Sequence, residues 1–315
     1  RQFVGGSTAV VTSPTTIFGY SNVATFTYDY NKITVLNNDH SFDTTGGVGS
    51  GYNEDTDSPL TGVSNPIQAL QGNDFALYLL SSGVIKSRGN NNYGQLGTGD
   101  NVAISSGTAT GEVQGISTAT KIAVTQWAGC ALLSNQQVWC WGAGNNGELG
   151  RGSTAHSNVP VQVSLPSNTA VDIMGSGRTF CAILANGQAW CFGDNAGARV
   201  TCDSSQTDQI SPVRLTTMSN IKEVNMGSFH SVILTTAGEI YTCGRVYANS
   251  SVAGNSSFLS GISGNWSYTN GPILMDDTLG FQGNIIELDA TGTSTYFLTN
   301  SIKLYCIGSN AESNC

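Results

Sequence analysis

Eight cysteines carry the most legible chemistry in this 315-residue sequence. Cys130 and Cys140 lie ten residues apart, and Cys181 and Cys191 repeat that spacing. In "CAILANGQAWC" a tight turn ending at Gly187 sets the two cysteines opposite each other across a hairpin. Cross-strand neighbours stand about 4.5–5.5 Å apart at Cβ, close to disulfide range. The same reading pairs Cys130 with Cys140. Cys306 also sits two residues before a strand-ending glycine, but its hairpin partner position holds Tyr296, which leaves Cys315 for it. Cys202 and Cys243 then remain for each other. Zinc is the competing chemistry, yet no CxxC pair occurs and histidines are few. The expectation is four disulfides and no metal centre.

Other chemistry-bearing residues are scattered. Asn249, Asn255 and Asn265 head three N-glycosylation sequons, all inside one stretch at about 246–271. His40, His156 and His230 fall in different parts of the chain, with no spacing that gathers ligands. Glu54, Asp55 and Asp57 in "YNEDTDSP" could offer oxygens to calcium, but a solvated acidic loop is the preferred reading. Trp127 and Trp266 stand outside the strand-core pattern, where half-buried packing is weighed above partner anchoring. No Gly-x-Ser-x-Gly elbow, clustered acid pair with a raised-pKa context or phosphate loop is present, and "GNNNYGQLG" has no helix after it to receive phosphate. No catalytic residue or cofactor is predicted.

Composition narrows the class. The chain is 39% hydrophobic and only 10% charged, with net charge -9 and 12 Lys+Arg. A nucleic-acid surface needs a stripe of cations to displace condensed counterions, and no basic cluster exists. No apolar run approaches the roughly 20 residues that span a bilayer. The sequence as numbered opens on Arg1-Gln2-Phe3 with no signal-peptide pattern, which is read either as a cytosolic protein or as numbering that starts after processing. The cysteines favour a processed, extracellular protein, secreted or at the cell surface, over a cytosolic one.

The elements that must position these residues repeat. Gly89, Gly142, Gly193, Gly244 and Gly308 each end a strand, with Asn37 read as a degenerate first copy. The intervals are 52, 53, 51, 51 and 64 residues, the last enlarged by the 246–271 insertion. Each unit reads as an apolar strand such as "IKEVNMG", a second such as "HSVIL", a turn, and a third such as "EIYTCG". A polar loop and a proline-led strand ("VPVQV", "SPVRL", "GPILM") follow. Four short strands in about 50 residues describe a propeller blade. The expected fold is all-β: one β-propeller domain over 1–315 with six four-stranded blades (seven being the alternative). The N-terminal "STAVVTS" is expected to complete the blade at Ile285 to Ile307 and so close the ring.

"GNNNYGQLGTGD", "GAGNNGELGRGS" and "GSFHSVILTTAGEIYTCG" resemble the repeat of the regulator of chromosome condensation family. The resemblance implies a propeller whose shared residues are structural, with His230 at a packed strand position. Seven blades are usual in that family, against the six counted here. The founding member's activity on a small GTPase and its chromatin binding are not carried over. The functional expectation is a non-catalytic extracellular interaction or scaffold module. Its partner is a protein, a glycan or further copies of itself. A secreted binder or inhibitor is the alternative, and a propeller enzyme ranks third.

Overall fold

The computed structural model describes residues 23–29, 32–37, 42–46, 62–64, 66–104, 109–247, 266–268, 271–274, 285–291, 294–300 and 304–308. They fall into two compact units. The first comprises Arg1–Ser134, Trp139–Ala143 and His156–Val161, and the second Asn135–Val138, Gly144–Ala155 and Gln162–Cys315.

In the first unit, Val23–Asp29 (β1), Lys32–Asn37 (β2) and Phe42–Gly46 (β3) form a three-stranded sheet. Pro66–Gln71 (β4), Phe75–Leu80 (β5), Ile85–Gly89 (β6) and Gly111–Glu112 (β7) form a four-stranded sheet in chain order. Ala119–Val124 (β8), Ala128–Leu133 (β9), Val138–Gly142 (β10) and Ser157–Gln162 (β11) form the next.

The second unit repeats the plan. Ala170–Ser176 (β12), Thr179–Leu184 (β13), Ala189–Gly193 (β14) and Gln209–Arg214 (β15) make one sheet. Ile221–Met226 (β16), His230–Thr235 (β17), Ile240–Tyr247 (β18), Trp266–Tyr268 (β19) and Ile273–Leu274 (β20) make a five-stranded one. Ile285–Thr291 (β21), Ser294–Thr299 (β22) and Leu304–Gly308 (β23) make a three-stranded sheet. Among the described residues the only helical piece is a 3-10 turn at Ala196–Ala198.

One irregularity marks every repeat. The first strand of each sheet meets the second through a register shift beside its first residue, at Val23, Pro66, Ala119, Ala170, Ile221 and Ile285. A bulge at a fixed place bends and twists the strand in the same way each time. It also corrects the reading of Asn37, which ends β2 opposite Val23, whereas the third strand of that sheet ends at Gly46. Asp29 and Lys32 are register partners, so β1 and β2 are the first hairpin of this sheet rather than its second and third strands.

The sheets bury both faces of their middle strands. β5, β13 and β17 are buried along their whole length, which is why they read as continuous apolar runs rather than alternating ones. In the first unit Trp141 is fully buried among Leu77, Leu79, Ile85, Leu96 and Ile122. In the second, Cys181, Cys191, Cys202 and Cys243 pack with Val224, Ile233 and Leu215. The structure contains Cys130–Cys140, Cys181–Cys191 and Cys202–Cys243 as disulfides. Cys181 and Cys191 are direct register partners. Tyr296 faces Cys306 in register, while Cys315 lies outside the described residues.

The insertion leaves the sheet as a ribbon. β18 runs beyond Gly244 and pairs with β19, Arg245 opposite Tyr268 and Tyr247 opposite Trp266. Asn249, Asn255 and Asn265 lie outside the described residues, as do His40, the 52–59 loop and "STAVVTS".

Candidate functional site

The residues best placed to meet a partner stand where the third strand hands over to its loop. Gly89, Gly142, Gly193 and Gly244 end those strands with φ between 101° and 116°. The next residue then donates its N–H to the turn between the first two strands: Asn90 to Asp74, Ala143 to Trp127, Asp194 to Arg178 and Arg245 to Phe229, at 2.7–3.1 Å. A side chain at Gly142 would be strained at that φ, and its Cβ would stand 2.5 Å from the Trp127 carbonyl oxygen. Glycine therefore locks each loop to the turn of its own sheet, and the turn residue is free to vary in type.

The loop then crosses to the following sheet, and its fourth residue after the glycine meets that sheet's turn residue. Tyr93 lies against Trp127, their rings 6.0 Å apart and tilted by 52°. At the matching place Arg178 donates to the Asn146 carboxamide at 3.2 Å. At the third, Gly197 gives the backbone of Phe229 room to approach, and the Arg245 guanidinium lies 3.6 Å from the Phe229 ring centre. Three quasi-equivalent positions thus display an aromatic pair, a cation held by an amide, and a cation over a ring.

Beneath them the loops are fixed by buried polar groups. Asn91 accepts from the Leu96 N–H and donates to the carbonyls of Asp100 and Val102. Asn195 does the same with Val200 N–H and Ser205 carbonyl. The sixth loop position is also polar and buried in each case: Gln95, Glu148 and Arg199. Gln95 and Glu148 both accept the N–H two residues earlier, that of Tyr93 at 2.9 Å and Asn146 at 2.8 Å. Burial raises the Glu148 carboxyl above its usual range, with Asp194 adding to the effect, while hydrogen bonds and the Arg178 charge oppose it. Arg199 instead reaches into the next sheet, donating to the carbonyls of Ser228 at 2.7 Å and Gly227 at 3.2 Å. Asp194 pairs with it at 3.3 Å.

His230, in β17, is buried, and its pKa falls to about 4 because burial and then the Arg199 charge disfavour the imidazolium. That suits a packed core imidazole rather than a ligand or a general base near neutral pH. His156 has a different setting: exposed, with its ring 5.0 Å from Tyr93. The structure therefore gathers Tyr93, Trp127 and His156, which are distant in sequence. Of the three, only Trp127 carried a sequence signal for partner contact. Trp127 is half-buried. Among the described residues no cluster of His, Cys, Asp and Glu could hold a metal ion.

Residues 135–184 and 221–249 match the regulator of chromosome condensation (RCC1) repeat. The chain carries RCC1 repeats. The human E3 ubiquitin-protein ligase HERC2 is 27% identical over 277 residues, which cover 83% of this chain and 5% of HERC2. This chain spans less than half the length of the first curated relatives it matches. Yeast RCC1 (Prp20), solved bound to Kap60, superposes with a TM-score of 0.69 at 18% identity, covering 92% of this chain and 67% of that one. The CRINKLY WD40 ectodomain of the Arabidopsis thaliana receptor kinase ACR4 gives 0.54 at 14% identity, covering 92% and 82%. The all-β RCC1 propeller fold is thereby established. In this chain the repeat glycines lock loop to turn, and the positions after them differ from repeat to repeat.

Proposed function

We propose that this RCC1-repeat chain is a non-catalytic recognition module of the extracellular space, built as a six-bladed propeller that engages its partner through the loop ends. The observation that carries this reading is the contrast at those ends. Constant glycines and buried amides hold the backbone, while the paired positions change from Tyr93–Trp127 to Asn146–Arg178 to Gly197–Phe229. A rigid frame with chemically distinct displayed residues lowers the entropic cost of binding and leaves specificity to a few side chains.

Six sheets among the described residues, all with the same bulge, support six blades. Three buried disulfides in one chain support an oxidising compartment. An extracellular location is compatible with this fold, since the similar ACR4 domain is an ectodomain. The occurrence of yeast RCC1 in a complex with Kap60 supports a protein as the class of partner. Two buried titratable groups with shifted pKa values are not placed to act as catalysts. His230 is sealed in a sheet, and Glu148 is buried under its own loop.

Isolation from the native source, followed by cross-linking and mass spectrometry, tests the reading. A defined partner cross-linked to loop-end peptides is the expected result. A homopolymer would make the chain a structural subunit, and hydrolytic turnover by the purified protein would overturn the proposal.

A further inference from the structure

The geometry points to a binding patch for a neutral oligosaccharide on Tyr93, Trp127 and His156 at the loop end of the first unit. The inference rests on the recognition-module reading and names the ligand class of one of its loop ends. Tyr93 is 38% exposed, one of the few large hydrophobic side chains outside the core among the described residues. Its ring packs at 6.0 Å on Trp127 and at 5.0 Å on His156, tilted by 52° and 59°. Rings this close touch each other and leave no slot for a cation between them. A ligand must therefore lie along their outer faces and edges, as the C–H face of a pyranose ring does.

The fringe of the patch supplies the other half of sugar chemistry. Asn158 donates to the Asn101 carboxamide at 3.1 Å, and Asn101 donates to the Asn92 carbonyl at 3.1 Å. A carboxamide has two donor hydrogens and an acceptor oxygen, so one bond fixes its direction without exhausting its capacity. The nearest acid in the loop, the exposed Asp100, keeps its negative charge, its Oδ1 accepting from Thr98, Asn91 and the Val102 N–H. Aromatic faces edged by oriented amides, beside a negative rather than a positive charge, match a polyhydroxylated neutral ligand better than an anionic chain. The platform is also held in place. Gln95 accepts the Tyr93 N–H, and its own carbonyl accepts from the Trp141 indole at 3.0 Å. Little ordering is left for binding to impose.

A glycan array carrying neutral and acidic oligosaccharides, probed with the full chain, tests the proposal. Saturable binding to neutral glycans is expected, weakened about tenfold or more by Tyr93→Ala or Trp127→Ala at unchanged melting temperature. Trp127→Phe keeps a stacking face and should retain most of the binding, which separates ligand contact from misfolding. No binding to any neutral glycan, binding to acidic glycans alone, or binding that survives both alanine variants overturns it. Loss of a protein partner in Tyr93→Ala without glycan binding would overturn the sugar assignment while leaving the recognition-module reading intact.

Discussion

Cys243 is bonded to Cys202 at the place where Trp141 and Phe192 stand in the two preceding repeats. Each of the three immediately precedes a strand-ending glycine. Trp141 packs on Gly97 of the preceding loop, and Phe192 packs on Gly150 of its own preceding loop. Cys243 faces Ser231 across its hairpin, so it has no cysteine there, and reaches the preceding loop covalently instead. Gly271, at the end of the insertion, donates its N–H to the Cys202 carbonyl at 2.8 Å. One covalent bond thus does the work of an aromatic wedge and steadies the root of the insertion.

The bond between sheets should matter more than those within hairpins. It closes a loop of 41 residues, against ten for Cys130–Cys140. Loop-closure entropy gives about 4 kcal/mol for the longer loop and about 3 kcal/mol for the shorter. Urea unfolding of Cys202→Ala/Cys243→Ala is expected to show the larger loss. A loss smaller than that of Cys130→Ala/Cys140→Ala would contradict the wedge role.

Mass spectrometry of the intact, deglycosylated chain should register four disulfides. Reduction is expected to add about eight mass units, one for each cysteine. A gain near six would leave Cys306 and Cys315 unpaired.

Stability should fall in mild acid. The folded pKa of His230, about 4, lies below the ordinary 6.5, so the unfolded chain binds the extra proton first. The stabilisation is complete above about pH 6.5 and is lost as the pH falls toward 4, by up to about 3 kcal/mol. Glu148 is shifted upward and acts in the opposite sense, favouring the fold more at low pH than at neutral pH. Denaturant midpoints across this window should drop with acidification, and His230→Gln should flatten the slope. An unchanged slope in that variant would move the effect elsewhere.

Arg199 should resist conservative replacement. Its guanidinium serves two carbonyls of the next sheet's turn and Asp194 together, a fork that lysine lacks. Arg199→Lys is expected to cost about 2 kcal/mol or more, because buried carbonyls lose their donors. Thermal unfolding that matches wild type would refute the bridging role.

Gly142→Ala should destabilise by about 2 kcal/mol or more, since the φ of 101° and the nearby Trp127 carbonyl both oppose a Cβ. Gly238→Ala is a useful control: its φ is also positive, at 85°, but nothing lies within 4 Å of the added carbon. The difference between their melting temperatures measures the steric part alone.

Local relations were legible in the residue order. The Cys181–Cys191 pair follows from a hairpin whose turn and spacing are contiguous, and the full burial of β13 follows from its unbroken apolar run "TFCAIL". The repeat glycines could be found because each is required by a turn of its own sheet. Asn37 was misplaced because the β1–β2 hairpin resembles the second and third strands of the other repeats, and only the pairing with β3 shows that it is the first hairpin. Relations between repeats were decided only in three dimensions. Trp141 and Gln95 are 46 residues apart, and Arg178 and Asn146 are 32 apart. The stacking of Tyr93 on Trp127 and His156, like the choice of Cys243 over an aromatic wedge, depends on how far each loop advances onto the following sheet. That advance is set by packing and buried hydrogen bonds among residues distant in sequence, for which periodicity supplies a place but no partner.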